Sequence, residues 1–479
     1  MFFLAKTIFI DPAGTNKEDV QIIADKVMKL VHSYFSSAEQ HPVLPQHEIT
    51  SFSNMPEQGL SVEEILHQIK IILGNSMNPY HPKYIGHMDS IPTLMSVLAT
   101  LISSSLNNNM LSHEMSPAFS EMEKQVIKEM ALRFGYGQNA GGVMVSGGSL
   151  ANLQALAAAR NHVLKVKEKG LVSLKNKPVI LASEVAHTSI QKAAMLLGMG
   201  TESVIAIKVD AKFEMCPDDL ENAICNAYDE GQFPFAIVAT AGTTVTGSID
   251  PLEQLSSIAK KHNIWFHVDA AYGGALVFSK DFRQYLSGIE NADSITFNPQ
   301  KWLYIAKACA IVLFKEEKIL HEDFQISAPY MNDSESINLG EISVQGTRHA
   351  DVLKLWLSFQ QIGVEGYEEL IHSGMAKTQY FVHQIRRRPY LQLAAEPRLN
   401  VCCFRGRPEF ISEERLDVWN TELQSFLLKH NIFFSLPVLG GGRWLRAVLL
   451  NPYTNEETID EIFGKIDLFY LENKNLLTK

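Results

Sequence analysis

The chain has 479 residues, of which 46% are hydrophobic and 20% are charged, and its formal net charge is −11. This composition is ordinary for a globular protein and supplies enough apolar residues for two or three domains. The acidic balance argues against a nucleic-acid-binding surface.

The cysteines and the opening residues bear on where the protein works. There are five cysteines, an odd number without a Cys-x-x-Cys spacing, which predicts a reducing compartment and no metal site. The opening segment is too short and wrongly charged for a signal peptide, and no apolar run approaches the length of a membrane span. We therefore expect a cytoplasmic protein without a membrane partner.

Two amphipathic helices are predicted near the start of the chain. Apolar residues recur at helical spacing between Asn16 and Phe35. A second helix is predicted to begin at Ser61, whose spacing to Glu64 matches a capping box. This segment has no core of its own, so we expect it to pack on something else.

The next segment, His81–Ser90, is polar and aromatic and contains glycine and proline. Such a composition is typical of binding loops and also of plain connectors.

A glycine-rich turn follows the first apolar strand. Residues 143–145 lead into Ser-Gly-Gly-Ser at 146–149 and then into a helix-forming run at 150–160. Backbone N–H groups at a helix N-terminus face an anion, so this turn predicts a phosphate cup. It lacks both Gly-Lys-Ser/Thr and Gly-x-Gly-x-x-Gly, which excludes the two common nucleotide motifs. A plain strand-to-helix turn is the alternative.

Three further segments place polar groups beside apolar strands. His187 lies near the start of a predicted helix, where an imidazole can stack on a planar ring, and threonines at 240–246 follow the strand 235–238. Asp269 ends another strand and is followed by small residues, which leaves room for a flat ligand at the sheet edge where open α/β sheets bind ligands. Taken singly, these residues also suit a core histidine, loop threonines and a helix-capping aspartate.

A lysine follows the strand at 292–297. Asn298 and Pro299 end this strand and set Lys301 on a tight turn at its edge. Partial burial lowers the pKa of a lysine and leaves a nucleophilic amine, as imine formation with an aldehyde cofactor requires. A lysine that only extends from an apolar surface into water is the alternative.

The order of strands and helices predicts the fold. Short apolar runs alternate with helical patterns between Val143 and Phe314, which favours a largely parallel sheet covered on both faces. These runs are residues 179–182, 204–207, 235–239, 264–268, 295–297 and 310–314. After Trp356 we predict a smaller α+β domain, with strands at 400–404, 432–436 and 444–450 and helices at 413–430 and 456–470.

The motifs together resemble one enzyme family. Ser-Gly-Gly-Ser at 146–149, His187, Ala-Gly-Thr-Thr at 241–244, His-Val-Asp-Ala-Ala at 267–271 and Asn-Pro-Gln-Lys at 298–301 occur in the order found in group II pyridoxal-phosphate-dependent amino-acid decarboxylases. That family includes the aromatic-amino-acid, glutamate and cysteine sulfinate decarboxylases. The resemblance runs from about His81 to Tyr367 and continues more loosely to the C-terminus.

The resemblance implies a fold, a reaction and an assembly. The fold is α/β, of the pyridoxal-phosphate-dependent transferase type (fold type I), with a mostly parallel seven-stranded sheet. The implied cofactor is pyridoxal 5′-phosphate (PLP), the substrate an L-amino acid and the products an amine and carbon dioxide. We expect a homodimer with an N-terminal helical dimerisation segment (1–90), a large cofactor-binding domain (91–355) and a small C-terminal domain (356–479).

Roles around the cofactor are implied residue by residue. Lys301 is expected to form the internal aldimine, Asp269 to keep the ring nitrogen protonated so that the ring accepts electrons, and His187 to stack on the ring. Phosphate contacts are expected from Gly148, Ser149, Ser294 and Asn298, and further cofactor contacts from Gly147, Thr244 and Gln300. Family members usually have histidine at the position of Gln300, and glutamine neither titrates near neutral pH nor stacks as an aromatic ring.

Substrate contacts are implied in the same way. The resemblance suggests His87 and Ser90 as pocket residues and Arg348 as the holder of a carboxylate, without saying which one. Tyr330 matches the family tyrosine that protonates the substrate carbon after carbon dioxide leaves, and it lies in a polar segment, 326–336, expected to be a mobile loop. Its presence favours an amine as product.

Two other classes of function stay open. The first is another enzyme on the same cofactor, namely a decarboxylating aldehyde synthase, an aminotransferase or a carbon–carbon lyase. The second is a non-catalytic homologue that binds the cofactor or a partner, against which the intact Lys301, Asp269 and Tyr330 count.

Overall fold

The computed structural model describes residues 7–45, 55–326 and 337–477. These residues divide into two compact units, one formed by 86–421 and 435–452 and the other by 7–85, 422–434 and 453–477. The division differs from the predicted boundaries of 1–90, 91–355 and 356–479. The strands of the predicted small domain group with the large unit, whereas the last helix of the chain groups with the N-terminal segment.

The described residues form eleven α-helices and twelve strands. The helices are α1 Lys17–Ser36, α2 Val62–Gly74, α3 Leu94–Leu106, α4 Pro117–Arg133, α5 Gly148–Leu164, α6 Ser189–Leu196, α7 Pro217–Asp229, α8 Leu252–His262, α9 Val352–Arg386, α10 Leu416–Lys429 and α11 Glu456–Leu477. The strands are β1 Gly141–Val145, β2 Lys177–Ser183, β3 Val204–Ile207, β4 Gln232–Thr240, β5 Trp265–Asp269, β6 Ser294–Phe297, β7 Ala310–Phe314, β8 Leu391–Leu393, β9 Val401–Gly406, β10 Val438–Leu439, β11 Gly442–Arg443 and β12 Leu445–Val448. No helix within the described ranges is long and apolar enough to cross a bilayer.

A seven-stranded sheet forms the centre of the large unit. Its strand order is β1-β7-β6-β5-β4-β2-β3. The run from β6 to β3 is parallel, and only β7 is antiparallel to its two neighbours. Strands β1, β5, β6 and β7 are buried along their whole length, because helices cover both faces of such a sheet and therefore allow continuous apolar runs. The predicted mostly parallel sheet is confirmed.

The C-terminal part of the large unit differs in detail from the prediction. Strands β8, β9 and β12 form a small antiparallel sheet. The predicted strand at 432–436 is wrong, because this segment makes only isolated bridges through Phe433 and Ser435. The long helix α9 was not predicted. It is broken at Gly363, whose φ of +69° lies in the left-handed region, and this break interrupts the helical period of the sequence.

The smaller unit contains the two predicted N-terminal helices. Ser61 and Glu64 form the predicted capping box at the start of α2. Neither α1 nor α2 has a fully buried residue. Val43, Tyr84 and Phe433 form a small buried cluster in this unit. The apolar positions of both helices are thus at most partly buried within a single chain.

Candidate active site

A cavity of about 280 Å³ lies at the carboxyl ends of the parallel strands β4 and β5. This is the edge where open α/β sheets bind ligands, because the loops that follow the strands converge there. Nine predicted site residues line the cavity, namely Gly147, Gly148, Ser149, His187, Thr244, Asp269, Asn298, Gln300 and Lys301. Five further residues complete its lining, namely Ser146, Asn152, Thr240, Gly242 and Ala271.

Lys301 supplies an amine to this cavity. It follows β6 on a turn in which its backbone N–H donates to the carbonyl oxygen of Asn298 (3.0 Å). Within the described ranges, no carboxylate lies within 4 Å of its Nζ atom, and no acceptor takes a hydrogen bond from it. Burial lowers the pKa of Lys301, and the negative charges of Asp269 and Asp89 oppose this shift only in part. The amine is therefore more nucleophilic than an exposed lysine.

Asp269 supplies a fixed carboxylate at the end of β5. One oxygen, Oδ2, accepts a hydrogen bond from Asn152 Nδ2 (2.8 Å), and Oδ1 accepts one from the backbone N–H of Ala271 (3.1 Å). The side chain is buried yet lines the cavity. Two N–H donors stabilise the charged form and fix the direction in which the carboxylate faces a ligand.

His187 lies two residues before α6 and also lines the cavity. Its Nδ1 atom accepts a hydrogen bond from the backbone N–H of Ser189 (3.2 Å) and lies 2.8 Å from Ser189 Oγ. Burial lowers the pKa of His187 and outweighs the opposing charge of Asp269. The ring is therefore neutral at neutral pH and carries its proton on Nε2.

The glycine-rich turn forms the third side of the cavity. Gly147 has a φ of +103°, a left-handed conformation that favours glycine, and it precedes the first residue of α5. With the Asn298 amide oriented so that its oxygen faces the turn, this oxygen accepts from the Gly148 N–H (3.3 Å). Gln345 holds Ser146 by accepting from its N–H and donating to its Oγ. The first N–H groups of α5 suit a phosphate or another anion.

Replacing Gly148 with alanine is expected to weaken the binding of an anion at this turn. A Cβ atom at Gly148 would lie 2.7 Å from the nearer terminal atom of the Asn298 amide and would displace that side chain. We expect the dissociation constant for PLP to rise about tenfold, which corresponds to about 1.4 kcal/mol. Absorbance titration of the cofactor-free protein measures it.

The matched control for this variant is Gly137→Ala, because a Cβ at Gly137 meets no atom within 4 Å. Gly137→Ala should bind PLP as the unmodified protein does. Equal affinity of the Gly148→Ala protein would contradict the assignment of this turn to the phosphate.

The three sides of the cavity match the three polar ends of PLP. The cavity offers an amine, a carboxylate and a helix N-terminus, which would bind the aldehyde, the ring nitrogen and the phosphate of PLP. The close approach of Gly148 to Asn298 shows a cradle that a side chain would fill. The residues present therefore fit this cofactor.

The side chain of Gln300 is held by a backbone group next to β7. Its Oε1 atom accepts a hydrogen bond from the backbone N–H of Cys309 (2.6 Å), the residue before β7. Because the amide oxygen is engaged in this way, Gln300 has an N–H group to offer the cavity and cannot serve there as a titrating base.

The structure corrects the predicted roles of Ser294 and Arg348. Ser294 does not line the cavity, because its Oγ is buried against His267 Nδ1 (2.8 Å) and Trp265 Nε1 (3.0 Å). Arg348 donates from both terminal nitrogens to Glu123 (2.7 Å each), and the two side chains are 3% and 1% exposed. The guanidinium that was predicted to hold a substrate carboxylate is thus occupied by a buried carboxylate of this chain.

The remaining predicted contacts lie elsewhere. His87 and Ser90 are partly exposed and are not among the residues that line the cavity. Burial and the charge of Arg446 lower the pKa of His87. Tyr330 lies outside the described residues, as do all residues of the predicted loop from 327 to 336.

Two residues with a bearing on the site were missed by the sequence analysis. Asn152 contacts Asp269 from within α5. Arg446, in β12, is buried and donates to the carbonyl oxygens of Thr244 and Gly86. A polar residue inside an apolar helix and an arginine inside an apolar strand were the available signals, because such groups are buried only when they are paired.

Comparisons with known proteins identify one enzyme family. The family model described as the pyridoxal-dependent decarboxylase conserved domain matches residues 45–407. The chain is 30% identical to the acidic amino acid decarboxylase GADL1 of Mus musculus over 86% of this chain and 78% of that protein. It is 32% identical to the cysteine sulfinic acid decarboxylase of Mus musculus over 86% of this chain and 87% of that protein.

A comparison with solved structures agrees. The crystal structure of mouse CSAD in its apo form superimposes with a TM-score of 0.88 at 30% identity, covering 94% of this chain and 99% of that one. The predicted α/β fold of the PLP-dependent type is confirmed.

Proposed function

The chain belongs to the pyridoxal-dependent decarboxylase family of PLP-dependent carboxy-lyases, and from that membership we propose that it decarboxylates an acidic L-amino acid, with Lys301 as the residue that attaches to the cofactor. The observation that supports the role of Lys301 is its buried amine, which shares one cavity with the Asp269 carboxylate and the N-terminus of α5.

Each site residue has one task in this proposal. Bound PLP supplies a ring that accepts the electrons released when the carboxylate bond breaks. Asp269 would hold a proton at the ring nitrogen, His187 would cover one ring face, and Gly147, Gly148, Ser149 and Asn298 would hold the phosphate. Lys301 would carry the cofactor and would remain nearby as an amine once the substrate amine has taken its place.

The charge beside the cavity supports an acidic substrate. Arg446 is a buried arginine that donates to the carbonyl oxygens of Gly86 and of Thr244, a residue that lines the cavity. Lys307 is a second cation there, paired with Asp89. The names of two relatives, acidic amino acid decarboxylase and cysteine sulfinic acid decarboxylase, point to the same class of substrate.

Replacing Arg446 with methionine is expected to raise KM for an acidic amino acid about ten- to a hundredfold, from the roughly 1.5–3 kcal/mol of a hydrogen bond to a charged group. Steady-state kinetics with aspartate and cysteine sulfinate measure this change. Arg446→Lys should restore part of the affinity because it restores the charge.

Arg443→Met is the matched control for Arg446→Met, since Arg443 lies three residues earlier and is exposed. It should leave KM within about twofold, as surface substitutions usually do. An unchanged KM in the Arg446→Met protein would remove Arg446 from the substrate pocket.

The identity of the product separates decarboxylation from its alternatives. An amine and carbon dioxide in equal amounts support the proposal. An aldehyde with ammonia would indicate an aldehyde synthase, and a keto acid an aminotransferase. Mass spectrometry identifies the products. Carbon dioxide release measured across the twenty amino acids, cysteine sulfinate and diaminobutyrate identifies the substrate.

Tyr330, His87 and Ser90 remain proposed substrate contacts, and variants at each are to be assayed on the substrate identified in this way.

The proposed assembly is a homodimer. Helix α3 exposes five apolar side chains, namely Leu94, Val97, Leu101, Ile102 and Leu106. Such a surface is unfavourable in water and suits burial against a second copy. Sedimentation at several concentrations tests for a dimer.

All five cysteines are unpaired, which supports a cytoplasmic location.

A further inference from the structure

Asn152 occupies a branch point behind the cavity. It lies in the first turns of α5 and is 1% exposed. Its two amide hydrogens reach two different side chains, Asp269 Oδ2 at 2.8 Å and Ser189 Oγ at 2.9 Å. Its Oδ1 atom lies 3.1 Å from His267 Nε2. Every polar atom of this side chain is therefore engaged with another side chain.

The hydrogen bond between Asn152 and His267 can run in only one direction. Because Asn152 turns its nitrogen to Asp269, its oxygen faces His267, and His267 Nε2 must donate to it. Burial lowers the pKa of His267, although Asp269 opposes the shift, so the ring is neutral at neutral pH. Its Nδ1 atom lies 2.8 Å from the Ser294 hydroxyl and 3.1 Å from the Ser294 carbonyl oxygen, and this hydroxyl accepts from Trp265 Nε1 (3.0 Å).

The second arm reaches His187. Ser189 Oγ accepts from Asn152 and donates to His187 Nδ1 (2.8 Å). This bond fixes the tautomer with the proton on Nε2 and fixes the plane of the ring. Asn152 thus contacts Asp269 directly and reaches His187 through Ser189.

A comparison within the chain shows what is unusual. Asn420 is equally buried, but it bonds only to backbone groups, donating to the carbonyl oxygens of Gly406 and Leu416 and accepting from the Gly406 N–H. Such an asparagine stabilises a loop. Among the described residues, the partners of the Asn152 side chain are all side chains that line the cavity or support it.

We propose that Asn152 is a positioning residue, which holds the Asp269 carboxylate and the His187 imidazole in one geometry about the cofactor ring, with His267, Ser294 and Trp265 supporting it from behind. The inference rests on the proposed function, because that function puts the ring nitrogen at Asp269. Buried polar networks of this kind fix a unique arrangement only when every member is satisfied, as here.

The test compares two ligands that differ at one ring atom. PLP has a nitrogen opposite Asp269, and 1-deazapyridoxal phosphate has a C–H group there. The unmodified cofactor-free protein should bind PLP more tightly than the deaza analogue. Asn152→Leu should lose about ten- to a hundredfold of affinity for PLP, the usual scale for a supporting hydrogen bond to a ligand-binding residue, while its affinity for the analogue changes by less than about threefold.

Two controls separate positioning from folding. Asn420→Leu, the same change at an equally buried site, should lower the melting temperature but keep the preference for PLP. His267→Leu should reduce the preference, and His267→Gln, which keeps a donor toward Asn152, should restore it. These variants also keep the test available if Asn152→Leu does not fold.

Two outcomes overturn the proposal. If Asn152→Leu and His267→Leu both retain the full preference for PLP, the network is structural only. If the unmodified protein itself binds both ligands equally, Asp269 does not face the ring nitrogen, and the proposed arrangement of the cofactor fails together with this inference. The first outcome leaves the proposed function intact.

Discussion

Replacing Lys301 with methionine is expected to abolish decarboxylation and the yellow colour of the loaded protein. The rate should fall by about four orders of magnitude or more, the scale seen when a residue of covalent catalysis is removed. Methionine keeps most of the volume of lysine but offers no amine to an aldehyde. Carbon dioxide release and the absorbance spectrum of the protein with added PLP measure both effects.

The same substitution is expected to stabilise the cofactor-free protein. Burial lowers the pKa of Lys301, so between this lowered pKa and the ordinary pKa of about 10.4 the folded state binds fewer protons than the unfolded state. The free energy of unfolding therefore decreases as the pH falls through this range. Methionine does not titrate, so the Lys301→Met protein does not show this decrease. The melting temperature of Lys301→Met should exceed that of the unmodified protein at pH 7, and the gain should vanish as the pH rises above 10.

Lys315→Met is the matched control. Lys315 lies outside the cavity and donates to the carbonyl oxygen of Glu290 (3.1 Å). It should retain both the colour and the activity of the unmodified protein. A Lys301→Met protein that still turns over substrate, or that melts at a lower temperature without cofactor, would contradict the role given to this amine.

Replacing Asp269 with asparagine is expected to give a protein that binds PLP yet decarboxylates about 10²–10³-fold more slowly, the scale of one lost electrostatic contact in a site. An amide has nearly the shape of the carboxylate, but it cannot hold a proton on the ring nitrogen through its charge. The ring then accepts electrons less readily. Steady-state rates, with PLP content measured on the same samples, test this expectation.

Asp293→Asn is the control for Asp269→Asn. Asp293 precedes β6 and accepts a hydrogen bond from the backbone N–H of Phe266 (2.7 Å), so its loss affects packing at the other end of the strands. Its activity should stay within about threefold once it is folded, as for other sites away from the chemistry. An Asp269→Asn protein as active as this control would show that the carboxylate does not assist the reaction.

The sequence predicted those parts of the fold that local pattern determines. Strand β7 begins and ends where the apolar run at 310–314 begins and ends, because a strand buried on both faces requires a continuous apolar run. Helix α9 was missed, since Gly363 interrupts its period. The segment 432–436 was taken for a strand because it is apolar, although its burial does not come from a sheet.

The site was predictable where its residues follow their own strands. Asp269 directly follows an apolar run, Lys301 stands on the turn that follows another such run, and the parallel order of the strands brings both residues to one edge. Contacts between distant segments were not predictable in this way. Arg348 binds Glu123, 225 residues away, and Asn152 binds Asp269, 117 residues away. No local pattern marks such partners.

Peptide mapping after borohydride reduction tests the central claim most directly. Borohydride converts an imine between PLP and a lysine into a stable amine, so the cofactor stays on its residue during proteolysis and mass spectrometry. We expect the pyridoxyl group on the peptide that contains Lys301 and on no other. A pyridoxyl group on a different lysine, or none on a protein loaded with PLP, would contradict the account.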